Sequence, residues 1–194
     1  ARYYLIKGDK PQALAYLDKT EFEHDMKGMN DMTEAEKHYI AGNYTAAITA
    51  YERYKAQDKS GYFYYMSDGD APAHMAYAYQ QVGETAKAAE VIKGFAEDLE
   101  KNKKSKNTHA DYYYHMAMLK SLQLKKDEAF YYMPSAIDTC WVQSWKAQLD
   151  PVFSSVSSDP QFAQMMGGVE ARLATMRTSL EADDEFLLAD SDLL

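Results

Sequence analysis

An alanine stands seven residues before, and another five residues after, each of four turn-like positions: Gly8, Gly42, Gly83 and Leu124. The leading set is Ala1, Ala35, Ala76 and Ala117, and the trailing set is Ala13, Ala47, Ala88 and Ala129. The turn positions are 34, 41 and 41 residues apart. Nine residues after each stands a larger side chain: Leu17, Tyr51, Ile92 and Met133. Self-similarity at this period marks a repeat architecture, and it limits the fold more than any other feature of the chain. Glycine ends a helix in a left-handed cap at no steric cost. Small residues on facing sides let two helices approach closely, and the larger residues fill the layer between units. A single unit exposes an apolar face, so units must stack. The expected fold is all-α: antiparallel helix pairs stacked into an α-solenoid, with about three full repeats and one truncated at the start.

Composition agrees with a packed core and narrows the partners. The 194 residues are 46% hydrophobic and 13% aromatic, enough to bury an interior. With 21 Lys+Arg against 30 Asp+Glu, the net charge is -9 and the pI is near 5.0. Affinity for nucleic acid comes mainly from Lys and Arg neutralising phosphates, so this balance argues against it. It argues equally against an anionic membrane surface. One cysteine can form neither an internal disulfide nor a cysteine zinc site. No uncharged apolar run of about 18 residues is present, so no membrane span is expected. The start, Ala1-Arg2-Tyr3-Tyr4, has neither a Met nor the pattern of a signal peptide, which suggests a processed product or a piece of something longer.

The repeat units resemble the tetratricopeptide repeat (TPR) family. Gly42-Asn43-Tyr44 with Ala47 and Tyr51 matches best, and Ala76, Tyr79, Gly83, Ala88 and Phe95 match well. The last unit departs from the pattern, with Leu124 in place of the turn glycine. The resemblance covers residues 1–140, with units near 1–24, 28–60, 68–101 and 109–140. It speaks to fold far more than to function. A HEAT-type array, with repeats of about 40–47 residues, is the rival; the 34-residue gap and the Gly-Asn-Tyr turn favour TPR with insertions. Two insertions read as loops from their Gly, Ser, Asn and Asp content. One brackets Tyr62-Phe63-Tyr64-Tyr65-Met66, and the other is Asn102 to Thr108, whose lysines read as a solvated face.

Residues 141–182 leave the repeat pattern and read as a helical cap over the last unit. Trp141 and Trp145 lie four apart, as on one helix face. Asp150-Pro151 and Asp159-Pro160 are helix starts, with Asp as N-cap and Pro in the first turn. Phe162, Met165, Met166, Val169, Leu173 and Met176 form one apolar stripe, with a kink expected at Gly167-Gly168. Leu149-Asp150-Pro151-Val152-Phe153, Asp159-Pro160-Gln161-Phe162 and Arg177 resemble the segment that follows TPR arrays in bacterial CadC-like winged-helix transcription regulators and TPR-bearing adenylate cyclases. That likeness implies the C-terminal part of a larger signalling or transcription-regulatory protein. It places the domain in the periplasm if the protein is a membrane-anchored regulator, and otherwise in the cytoplasm. Residues 183–194 read as an acidic tail.

No catalytic motif appears: no Gly-rich phosphate loop, HExxH or Gly-x-Ser-x-Gly. Neither enzyme activity nor a cofactor or metal is expected. Cys140, beside Trp141, reads as a buried structural thiol in a helix. His74 and His115, 41 residues apart, read as equivalent repeat positions with a polar tip, too far apart to share a metal. His24 reads as surface.

In TPR arrays the first helix of each pair lines a concave groove. The resemblance therefore implies groove positions at Arg2 and Leu5; Met29, Met32, Glu36 and Tyr39; Asp70, Ala73, Tyr77 and Gln80; and Asp111, Tyr114, Met118 and Ser121. The Lys, Asn and Arg that grip a C-terminal carboxylate in chaperone-binding TPR proteins are missing there. An aromatic, Met-rich, mildly acidic groove remains, which suits an apolar or basic peptide or helix. The expectation is a non-catalytic protein-interaction or sensor module. A small-molecule sensor with an aromatic, acidic pocket is the alternative. A homodimer is open too, through the apolar end of the truncated first unit.

Overall fold

A computed structural model describes residues 1–19, 28–57, 70–106 and 108–191, with side chains described through residue 179. Among these residues the chain is all-α, as the repeat predicts. The helices are α1 (Arg2–Ile6), α2 (Lys10–Asp18), α3 (Met29–Ala41), α4 (Tyr44–Gln57), α5 (Asp70–Gln81), α6 (Thr85–Lys104), α7 (Ala110–Leu122) and α8 (Lys126–Asp138). Then come α9 (Ser144–Leu149), a 3-10 turn (Pro151–Ser155) and α10 (Pro160–Ser191). No described helix is long and apolar enough to cross a membrane. His24 and Tyr62 to Met66 lie outside the described residues.

Helices pack in consecutive pairs, α1 with α2, α3 with α4, α5 with α6 and α7 with α8. Each pair is joined by the same turn. Gly8, Gly42, Gly83 and Leu124 all adopt positive φ, at 73°, 84°, 81° and 58°. At each, two backbone N–H groups reach back to the helix just ended. Gly42 N–H donates to Tyr39 at 3.0 Å and Asn43 N–H to His38 at 2.9 Å; Leu124 and Lys125 do the same to Ser121 and Lys120 at 3.0 and 2.9 Å. This is the paired hydrogen-bond closure of a left-handed helix cap. Leu124 therefore performs the glycine's task against the steric cost that a Cβ imposes. Its side chain is 78% exposed, so it gains little by burial. Replacing Leu124 with glycine is expected to raise unfolding free energy by about 0.5–1 kcal/mol, and Gly83→Ala to lower it by about 1 kcal/mol. Urea denaturation of the two variants checks both signs.

Seven of the eight repeat alanines are buried; Ala1, at the chain start, is half-buried. One core runs from Ala35 to Val169 and includes Tyr51, Phe95, Met118, Met133, Phe153 and Met166.

The structure corrects several local expectations. The lysine run is only partly a loop: α6 continues through Lys104, and Ser105 and Lys106 form the turn beyond it. Trp141 precedes α9 and so does not share a helix with Trp145. Cys140 is exposed and non-helical. Its φ of +74° makes it a fifth turn of the same kind, with N–H bonds from Cys140 and Trp141 to Ile137 and Ala136. The helix α10 extends to Ser191, into the stretch read as an acidic tail. Both Asp-Pro starts are as expected: Asp150 accepts from Val152 N–H at 3.0 Å and Asp159 from Gln161 N–H at 2.8 Å.

Candidate functional site

The first helices α3, α5 and α7 pack side by side into one face, and the chain's own residues 141–156 lie against it. Every unit contributes to this contact. Arg2 of α1 stands 5.8 Å over the Trp145 ring. Tyr39 of α3 donates its hydroxyl to Asp150 at 2.8 Å. His74 of α5 meets the other oxygen of Asp150 at 3.0 Å. Tyr114 of α7 stacks on Trp141 at 4.7 Å and contacts Phe153 at 5.6 Å. The C-terminal segment therefore does more than cap the last unit: it spans the array.

At the centre is an ionic junction. His74, with 8% of its side chain exposed, presents Nδ1 to Glu36 at 2.9 Å and Nε2 to Asp150 at 3.0 Å. Ionised carboxylates only accept, so both ring nitrogens must donate and the ring is an imidazolium. Burial alone would lower its pKa, but Glu36 and Asp150 outweigh that and hold it well above the ordinary 6.5. The Tyr39 ring stacks on the imidazole at 4.1 Å with an interplanar angle of 13°, where its face meets a cation. Tyr51 donates its hydroxyl to Glu36 at 2.9 Å and fixes the carboxylate. Burial first, then the neighbouring carboxylates, raise the phenols of Tyr39 and Tyr51 well above 10.0, so both remain donors.

A second junction lies beside the first. Asp70, at the start of α5, bonds Lys146 of α9 and faces His115 Nε2 at 3.3 Å. Burial opposes its charge, but His115 and Lys146 prevail and hold Asp70 well below the ordinary 3.8. Lys146 also stands 5.3 Å over the Tyr114 ring. Burying a charge without a partner is costly, and here each is met from another element.

Against this geometry the expected groove residues divide. Tyr39, Ala73, Tyr114 and Met118 are at most 3% exposed, so they line no open groove. The physical reason is that residues 141–156 already lie over the first-helix face. Met32, Glu36, Tyr77 and Gln80 are half-buried and Asp111 is exposed. Glu36 and Tyr39 belong to the ionic junction. Tyr77 packs edge-on to Tyr39 and Tyr44. Gln80 donates to the Leu122 carbonyl at 3.0 Å, tying one unit to the next. No hydrogen bond or ion pair links Met32 or Asp111 to the junction. The reading of His74 as a mere polar tip misses its role as the hub. Asp150 was legible as a helix cap, and Lys146 carried no signal in the sequence. Among the described residues no group of three or more His, Cys, Asp or Glu side chains is arranged to hold a metal ion.

No protein-family model, curated protein or solved structure matches this chain.

Proposed function

We propose that this chain is a non-catalytic protein-interaction module of TPR type, the C-terminal part of a larger signalling or transcription-regulatory protein. Its first-helix face recognises a short peptide bearing a carboxylate followed, after a proline, by an aromatic ring. In this chain Leu149-Asp150-Pro151-Val152-Phe153 fills that role. A partner segment with the same chemistry would exchange with it. One observation carries the reading: three separate units supply Tyr39, His74 and Tyr114 to one five-residue stretch. The aromatic rings supply area at low entropic cost, and the imidazolium supplies charge selectivity.

The cis segment is favoured over any free peptide by an effective concentration in the millimolar range for short linkers. The test therefore weakens it first. The chain carrying Asp150→Asn is titrated with a synthetic peptide of residues 141–156, and binding is followed by NMR. The peptide with its native Asp is expected to bind at least tenfold more tightly than its own Asn form, with shifts confined to the neighbours of Tyr39, His74 and Tyr114. Equal affinities, or no binding to a folded variant, would make residues 141–156 a permanent cap and overturn the reading.

A further inference from the structure

A cleft of about 470 Å³ lies on the opposite side of α5, between α4 and α6. Its volume falls within the range of small-molecule sites, roughly 300–1,000 Å³. Met75 and Val91, 2% and 3% exposed, supply an apolar floor. Its rim carries both signs of charge. Glu52 stands on the α4 wall, and Lys87 and Glu90 on the α6 wall, three residues apart and so on one helix face. Lys55 adds a second positive charge.

Tyr79 joins the two walls. Its hydroxyl donates to Glu52 at 2.6 Å, and Lys87 Nζ stands 5.5 Å from its ring centre. Burial, and after it the bond to Glu52 and the charges of Glu52, Glu84 and Glu90, raise the Tyr79 phenol above its ordinary 10.0. The donor therefore stays in place at any physiological pH. Glu52 is thus held by Tyr79, and Lys87 by the ring and by Glu84 at 4.0 Å. Glu90 has no ion-pair partner among the described residues. Fixed charges of both signs over an apolar floor define a narrow chemistry. A simple amine meets the rim lysines, and a simple carboxylate meets Glu52 and Glu90. A molecule with an ammonium and a carboxylate at one end and an apolar body satisfies all three features.

We propose that this cleft binds a small zwitterion, an α-amino acid or dipeptide with an apolar side chain. The ammonium group lies between Glu52 and Glu90, the carboxylate meets Lys87, and the side chain rests on Met75 and Val91. The site is separate from the first-helix face and does not depend on what binds there.

The test uses the whole chain with four probes: L-leucine, leucyl-leucine, isoamylamine and isovalerate. The last two are leucine without its carboxylate and leucine without its amine. Calorimetry or NMR titration is expected to show saturable binding of leucine, leucyl-leucine or both, and at least tenfold weaker binding of each single-charge analogue. Which zwitterion binds distinguishes a free amino acid from a peptide source. Lys87→Glu and Glu90→Lys change exposed residues, so the fold survives, and each is expected to weaken zwitterion binding at least tenfold. Three results would each overturn the proposal: no saturation by either zwitterion up to about 10 mM, an analogue that binds as tightly as leucine, or charge reversals without effect.

Discussion

Replacing Asp150 with alanine is expected to cost about 3–5 kcal/mol of folding stability, the range for removing one partner from a buried ion pair. The size follows from what is stranded. His74 would keep a buried imidazolium with only Glu36 opposite it, and the Tyr39 hydroxyl would lose its acceptor. Val152 N–H, at the start of the 3-10 turn, would lose its cap, worth about 1 kcal/mol. The contrast is Arg53→Ala. Arg53 pairs with Asp31 at 2.7 Å and Glu34 at 2.6 Å, shorter contacts than those of His74, but its side chain is 44% exposed. Exposed pairs contribute about 0–1 kcal/mol, because water and salt compete for both charges. Urea midpoints of the two variants should therefore differ widely despite the similar geometry. A cost for Asp150→Ala no greater than that for Arg53→Ala would show that the junction does not hold the C-terminal segment in place.

The same contrast explains which parts of the molecule were legible in the sequence. The helix pairs were legible because their causes are local and repeated. A glycine in a left-handed cap and an alanine at each close approach recur at fixed offsets, and Leu124 keeps the turn geometry even without the glycine. Asp150 was legible only as far as its own neighbourhood reaches. Its side chain caps Val152, which Asp-Pro announces, and the same carboxylate bonds Tyr39, 111 residues away in the chain. Nothing local distinguishes an N-cap that serves one helix from one that also closes a face. The tyrosines misled for a related reason. Tyr39 and Tyr114 were expected to line an open groove, yet both are buried, as are Tyr51, Tyr79 and Tyr112. Tyrosine serves here as a core residue whose hydroxyl can reach a buried carboxylate, as in Tyr39 to Asp150 and Tyr51 to Glu36. Cys140 misled in the other direction. Adjacency to Trp141 suggested burial, whereas the helix α8 ends there and turns the thiol outward.

Stability is also expected to fall as pH rises above about 6.5, and His74 sets that limb. Its folded-state pKa lies above its ordinary 6.5, so the folded chain holds the proton more tightly than the unfolded chain does. The resulting stabilisation is complete below 6.5 and is lost as pH climbs through the raised value. One linked proton gives a limiting slope of about 1.4 kcal/mol per pH unit. Tyr39, Tyr51 and Tyr114 act in the same sense, but only above their ordinary 10.0, so the interval between isolates the histidine. Acid acts through Asp70, whose pKa is held below 3.8: its stabilisation is present above 3.8 and lost as pH falls. Asp98, raised by burial, opposes it on that limb. Urea midpoints of the wild type and His74→Gln at pH 5.5, 7.5 and 9 separate the contributions. The wild type should weaken steadily, while the glutamine variant, less stable at pH 5.5, should stay nearly flat and approach it at pH 9. A wild-type decline no steeper than the variant's would mean that the His74 proton does not bind the two carboxylates together. The closure of the first-helix face would then rest on Phe153 and Trp141 packing against Tyr114.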